Sequence, residues 1–410
     1  MNEIVPPAGA SRDGDRWLTP GVKGIGSASL LADVGHEIPT ALLPSLLASL
    51  GAPAAALGVI EGVSDALAGA ARFGGGALAD DPSRRRKVAV GGYTATAVLG
   101  AATAGATAVW QVGLLRAAAW TARGLRVPAR NALLADIVPP AAYGRAYGFE
   151  RMMDNLGAIF GPLLALGLVA WLGVDWAIGL SVVPGMLAAA AIVYAIRRTP
   201  RPTGRVKVPV RIRIRPVLRG DLGRLTAAVA AFEVGNVAAT LLILRASDLL
   251  AAEHGARTAT TIALGLYTAY NLAATLVSVP AGRLADRLGR RGPVVVLAGG
   301  VAGLALSYGL FVVDTTAVAF LAVPFVLGGI GIGAVETAEH SAVAVLAPAD
   351  MRGSAFGMLA AVQSFGNLAA SALAGILWTA FSAAAAFAYL TAWMLVALAG
   401  LTVTSRGLGR

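Results

Sequence analysis

The chain has 410 residues, 57% of them apolar and only 13% charged, a charged share roughly half that of an ordinary soluble domain. That balance excludes a water-soluble globular fold, and the net charge of +11 does not point to nucleic acid, because the positive residues sort by loop. With no cysteine, disulfides, thiolate catalysis and cysteine metal sites are excluded as well.

Residues 1–24 are polar, with no apolar stretch behind a basic start, so they read as a cytoplasmic tail rather than a cleaved signal peptide. Apolar runs then predict spans near 25–48, 55–79, 88–109, 112–136, 146–172, 176–196, 222–249, 259–282, 292–313, 316–346, 354–380 and 383–403. The windows 88–115, 176–196, 292–313 and 353–405 contain no charged residue at all. A span needs roughly 20 apolar residues, so the last window holds two.

Connections alternate in charge. Those after odd-numbered spans are nearly free of basic residues, with Arg257 the exception, whereas the others carry Arg84, Arg85, Arg86 and Lys87, then Arg145, Arg287, Arg290, Arg291 and Arg352. By the positive-inside rule the basic connections face the cytoplasm, which puts both termini there and requires an even number of spans. Residues 197–219 hold nine Lys or Arg among several prolines and cannot bury a core of their own. They read as a solvated linker that sets orientation, with adhesion to anionic headgroups as the alternative.

The expected fold is thus an all-α membrane protein of twelve helices in two pseudo-symmetric six-helix bundles, at 25–196 and 222–404. A basic linker at 197–221 joins them and a short tail, 405–410, follows. Ordered repeats support the two halves: Asp33-Val34-Gly35-His36 recurs as Glu233-Val234-Gly235-Asn236, Gly76-Ala77-Leu78-Ala79-Asp80 as Gly282-Arg283-Leu284-Ala285-Asp286, and Gly144 to Gly148 as Gly353 to Gly357. Parallel repeats of this kind place a binding site at their interface near the bilayer midplane.

On these residues the chain resembles the major facilitator superfamily over nearly its whole length. The run Gly282-Arg283-Leu284-Ala285-Asp286-Arg287-Leu288-Gly289-Arg290-Arg291 looks like that family's motif A with every key position filled. Its copy, Gly76 to Asp80 and on to Arg84, departs at Asp81 and Ser83, where the family has a basic residue and a glycine. The resemblance implies a gate at the cytoplasmic rim, carried by Gly76, Asp80 and Arg84 and by Gly282, Asp286, Arg287, Gly289, Arg290 and Arg291. Gly148, Gly157, Gly161 and Pro162 in the fifth span resemble the motif C of drug and proton antiporters, although Ala165 and Leu166 replace its last glycines. Close helix packing explains the same residues. Arg116 resembles the motif B arginine of proton-coupled members, and Ala119 stands where a related bacterial branch has an acidic residue.

Ionisable groups inside a span are costly unless paired or wetted, so each is a functional candidate. Asp33, His36 and Glu37 share an arc of about 100° on the first span, and Arg116, Arg123, Arg126 and Arg130 share about 80° on the fourth. The first span's acids are the expected partners of that stripe. Glu61 and Asp65 on the second span, Glu233, Asn236 and Arg245 on the seventh, and Glu336, Glu339 and His340 on the tenth complete the set, the last two as alternative gate residues. Asp33 or Glu37 alternating between a protonated state and an arginine pair would form a proton switch; permanent pairing as a strut, with His36 structural, is the alternative. Trp120, Tyr267, Tyr270 and Phe325 are candidates for an apolar lining.

Three scattered histidines give no metal-ligand spacing, and neither a Walker A loop nor a nucleophile elbow occurs, so no metal, no cofactor and no enzymatic activity are expected. The expected protein is a monomeric secondary transporter of the bacterial cytoplasmic membrane, exporting a small amphipathic or organic compound on the proton gradient. Its partners are then that substrate, protons and the lipid bilayer. Proton-coupled uptake of an organic anion is the alternative within the class, and a non-transporting sensor or membrane enzyme the alternative outside it.

Overall fold

The computed structural model describes residues 17–199 and 209–407. Of the expected tails and linker, residues 1–16, 200–208 and 408–410 lie outside the described residues.

Twelve long helical segments run in two sets of six. The first set is α1 (Pro20–Ser49), α2 (Ala54–Ala79), α3 (Pro82–Ala102), α4 (Val109–Ile137), α5 (Tyr143–Leu172) and a sixth segment made of α6 (Val174–Leu180) and α7 (Val182–Arg197). After the short α8 (Ile214–Val217), the second set begins with a segment broken into α9 (Gly220–Glu233) and α10 (Ala239–His254). It continues with α11 (Ala256–Arg287), α12 (Gly292–Leu310), α13 (Val318–Leu346), α14 (Arg352–Ala380) and α15 (Ala383–Gly407). No strand occurs among the described residues. The two six-helix bundles expected from the sequence are therefore observed.

Local chemistry explains where the elements start and stop. Thr19 accepts the Val22 N–H and Pro20 opens α1, a favourable pairing of cap and first-turn proline. Asp81 does the same for α3, taking the Ser83 N–H at 2.8 Å with Pro82 at the first helical position. That cap draws Arg84, Arg85, Arg86 and Lys87 into the first turns of the helix instead of leaving them in a loop. Likewise α11 runs past the expected boundary to Arg287, and a left-handed Gly289 (φ +65°) turns the chain into α12.

Eight of the twelve segments are long and apolar enough to cross a membrane by composition. The exceptions are α1, α2 and α4, which carry many of the ionisable residues singled out above, and the seventh segment, which is broken into the shorter α9 and α10. A charge inside a span is tolerated where it has a wet face.

Within the first half α1 packs on α5 and α7, and α4 on α2 and α3; within the second, α13 packs on α11 and α12, and α15 on α12 and α9. Across the halves, α5 meets α11 and α2 meets α14. Both crossings lie at the end of the bundle that carries the basic connections. A Cβ on Gly148 would stand 2.9 Å from the Ser278 carbonyl carbon, and one on Gly353 would overlap the backbone of Gly76, Ala79 and Asp80. Farther along α2, Gly58 and Gly62 have open space beside them. The closest backbone approach between the halves is thus at that end, and a cavity lies between them.

Candidate functional site: a charged cavity between the halves

The cavity is about 540 Å³ and is lined from both halves. The first half contributes Asp33, Asp65, Arg72, Arg123, Arg126, Arg130, Arg151 and Asp154, and the second Glu233, Asn236, Glu336, His340, Gln363 and Asn367, with Ser364 and Ser371. The helical stripe on α4 does meet carboxylates, but only one of them belongs to α1. Arg123 pairs with Asp33 at 3.1 Å. Arg116 pairs with Glu61 of α2 at 2.8 Å, and Arg130 with Glu150 of α5 at 2.8 Å and Asp154 at 3.5 Å. Arg126 makes no ion pair among the described residues and lies over the Tyr93 ring at 3.9 Å.

The α5 partners were not among the sequence candidates. Glu150 accepts Arg151 Nε at 2.7 Å and the Ser29 hydroxyl at 2.6 Å; Asp154 takes Arg151 at 3.1 Å and lines the cavity together with Asp33. An acid, a base and a second acid one turn on, within a span otherwise read for its glycines, was the available signal. Those glycines are where α5 closes on α1: a Cβ at Gly157 would sit 2.8 Å from Asp33 Cβ, and one at Gly161 3.3 Å from the Val34 carbonyl oxygen. Packing therefore brings Asp154 to Asp33.

Several candidates fall elsewhere. Glu37 lies over Gly161, makes no ion pair among the described residues and does not line the cavity. His36 stacks edge-on against Trp120 at 4.1 Å, its Nδ1 is 3.3 Å from Thr40 Oγ1, and it borders a smaller pocket inside the first half. Asp65 accepts the Trp120 indole N–H at 2.7 Å. Arg245, expected near substrate, instead ties the turn after α12 by pairing with Asp314 at 2.6 Å and donating to the Phe311 carbonyl at 3.1 Å. Its position on α10, beyond the helix break, turns it away from the cavity. Of the expected aromatic lining, Tyr267, Tyr270 and Phe325 are absent from the cavity wall and Phe325 is fully buried. Of their two helices, α11 contributes nothing to the wall and α13 contributes Ile332, Glu336 and His340.

The second half builds its wall from a broken helix. The repeat Glu233-Val234-Gly235-Asn236 unwinds between α9 and α10, whereas its counterpart in α1 stays helical. Freed backbone groups find side chains: the Asn236 carbonyl accepts Asn367 Nδ2 at 2.8 Å, and the Ala238 N–H reaches Ser371 Oγ at 3.0 Å. Glu233 accepts Asn236 Nδ2 at 3.0 Å, Glu339 accepts Gln363 Nε2 at 2.7 Å, and Glu336 lines the cavity without an ion pair among the described residues. His340 forms the cavity floor, its Nδ1 2.7 Å from the Glu336 carbonyl oxygen and its ring beside Tyr147 of the other half at 5.9 Å.

Below the floor two aspartates interlock the halves in pseudo-symmetric fashion. Asp286 accepts the N–H groups of Gly144 (2.7 Å) and Arg145 (3.1 Å) and the Arg145 Nε (3.0 Å), at the N-terminus of α5. Asp80 accepts the Ser354 N–H (2.8 Å) and hydroxyl (2.5 Å), at the N-terminus of α14. A helix N-terminus favours negative charge and leaves N–H groups to be satisfied, so each aspartate bonds where the dipole helps it. Gly144 and Gly282 lie backbone to backbone, as do Gly76 and Gly353, because any side chain there would separate the helices.

The motif arginines are arranged differently from the expectation. Arg84 pairs locally with Asp81 at 3.6 Å, while the buried Arg85 donates to the Ala79 carbonyl at 2.7 Å and pairs with Asp136. The exposed Arg290 pairs with the half-buried Asp221 at 3.4 Å, within its own half, and Arg287 and Arg291 make no ion pair among the described residues. Arg145 and Arg352, from the segments that begin α5 and α14, provide the cross-half contacts; Arg352 reaches Asp136 at 3.4 Å and Tyr143 Oη at 2.8 Å.

Two helical halves joined at one end around a polar midplane cavity define a polytopic membrane transporter, not an enzyme. A profile of the Major Facilitator Superfamily matches residues 25–244 and 223–407, and the chain belongs to that family. It is 26% identical over 376 residues to an uncharacterized MFS-type transporter of Methanocaldococcus jannaschii, covering 90% of this chain and 91% of that one. It is 30% identical over 361 residues to an uncharacterized protein of Mycobacterium tuberculosis, covering 86% and 85%. Among solved structures, a human organic anion transporter superposes with TM-score 0.72 at 15% identity (93% of this chain, 99% of that one). A bacterial homologue of the iron transporter ferroportin in its outward-facing state gives 0.72 at 16% (95% and 99%). At these identities the two likenesses concern the fold.

Proposed function

We propose that the chain is a proton-coupled exporter of a small amphipathic or organic compound, held here with its cavity open to the outside. The orientation rests on the basic connections, which cluster at the interlocked end and so mark the cytoplasmic side. The observation that carries the coupling is Asp33, paired with Arg123 at 3.1 Å and sharing the cavity wall with Asp154 where α5 closes on α1. Two neighbouring carboxyl groups can hold one proton between them, and the adjacent arginines stabilise the state without it. Closing the cavity removes water from this cluster and alters the balance between those states, which is what proton-coupled alternating access requires. Asp33 and Asp154 carry the proton in this reading, and the chain works as a monomer on the proton gradient alone.

The test is reconstitution into liposomes enclosing a pH-sensitive dye, with a compound panel added. Asp33→Asn and Asp154→Asn are expected to abolish substrate-driven proton flux while substrate exchange continues, and Glu37→Gln, off the cavity, to retain it. Undiminished proton flux in both aspartate variants would rule out the switch. Uptake of an organic anion is the second reading, favoured by Arg126, which lacks a carboxylate partner. Accumulation of labelled carboxylates inside energised vesicles of native orientation would select it.

A further inference from the structure

The charges on the two cavity walls do not cancel in the same way. On the first-half wall Arg123 is paired with Asp33, and Arg130 and Arg151 with Asp154 and Glu150. Arg126 and Arg72 remain. Arg126 is 3% exposed, with Nε and one terminal nitrogen buried and unpaired; Arg72 gives one nitrogen to the Ala360 carbonyl and leaves Nε unpaired. Asp65, the carboxylate of that wall outside the ion pairs, is bonded by the Trp120 indole. The second-half wall offers acids instead. Glu233 and Glu336 line it, Glu339 lies buried behind them with one carboxyl oxygen unpaired, and the lining of this wall includes no Arg or Lys.

We propose that the transported compound is a zwitterion that spans the cavity, its anionic group on Arg126 and Arg72 of the first half and its cationic group on Glu233 and Glu336 of the second. This deepens the exporter reading and rests on it for the site, but not for the direction or the coupling. While the cavity is open, water solvates both poles. When the halves close, water leaves and an unpaired buried charge becomes costly. A ligand with a single charge satisfies one wall and strands the other, whereas a dipolar ligand satisfies both and draws the halves together. Closure itself therefore selects zwitterions, because the differential interaction of the ligand with open and closed states is what drives the change.

Binding to purified protein, read by ligand-induced thermal stabilisation and titration without any proton gradient, tests this. The probes are matched triads: phenylalanine, leucine and 6-aminohexanoate, each beside its N-acetyl derivative, which is anionic, and its amide, which is cationic. In the best-binding triad the zwitterion is expected to bind about 30-fold tighter than either blocked form, the loss anticipated when a desolvated charge loses its partner. Arg126→Gln with Arg72→Gln should erase the advantage over the amide, and Glu233→Gln with Glu336→Gln the advantage over the N-acetyl form. Arg126→Lys, which keeps the charge, should preserve the preference and controls for misfolding. A singly charged tightest binder, failure of every triad to stabilise the protein, or a preference unmoved by these substitutions would overturn the assignment. Because no gradient is involved, such a failure leaves proton-coupled export standing, and loss of coupling leaves the binding result standing.

Discussion

Replacing Asp286 by Asn removes one negative charge from the interlock between α11 and α5 while keeping its shape. The carboxylate accepts two backbone N–H groups at 2.7 and 3.1 Å and the Arg145 Nε at 3.0 Å. An amide oxygen can retain at most the two bonds made to one carboxylate oxygen, and it loses the charge that strengthens them and suits the α5 N-terminus. Hydrogen bonds to a charged group contribute about 1.5–3 kcal/mol, so the interlocked state should lose about 2 kcal/mol, close to a 30-fold change in the ratio of the two states. The chain has no cysteine, so Leu172→Cys and Ala256→Cys accept spin labels without background. Those positions end α5 and begin α11, at the ends of the two helices far from the interlock. Pulsed electron resonance should show the long label-to-label distance of the parent giving way to a shorter one in Asp286→Asn. An unchanged distribution would mean that glycine packing alone holds the halves, and would refute the assignment of the interlock to the aspartate.

Arg85→Ala should lower unfolding stability by about 2 kcal/mol, less than the loss of a fully buried pair because Asp136 is 32% exposed and keeps Arg352; thermal unfolding in detergent measures it. Arg84→Ala, with its side chain 37% exposed, should cost less, and the reverse order would show that the buried position was misjudged. Asp81→Ala should cost about 1 kcal/mol at pH 7 as a lost helix cap. Burial pushes the Asp81 carboxyl up, but bonds from the Ser83 hydroxyl and N–H and the Arg84 N–H outweigh it and hold the group below the ordinary carboxylate range. Its contribution is therefore full above the unfolded value of about 3.9 and is lost as pH falls through the lower folded value, so the parent and variant unfolding curves should converge toward pH 3. A gap independent of pH would remove the charged cap from the explanation.

The residues by themselves determined the spans, the two-half repeat and the family, because hydrophobic length, loop charge and short motifs are local properties of the chain. They also marked Asp33, Arg123, Glu233 and Glu336, since a charge inside an apolar run is conspicuous wherever it stands. Tertiary structure decided who meets whom. Arg116 paired with Glu61 rather than with an acid of α1, Arg130 reached Glu150 rather than Asp33, and Arg245 left the cavity for Asp314, because partner choice depends on the rotation and depth of two helices at once. The Asp33–Asp154 contact exists because Gly157 lets α5 approach α1, and no spacing within either helix encodes that distance. Gate chemistry divided in the same way: the sequence marked the aspartates, while the fold chose Arg85 over Arg84 and brought Arg145 across the interface, since only packing reveals which side of a helix turn is buried.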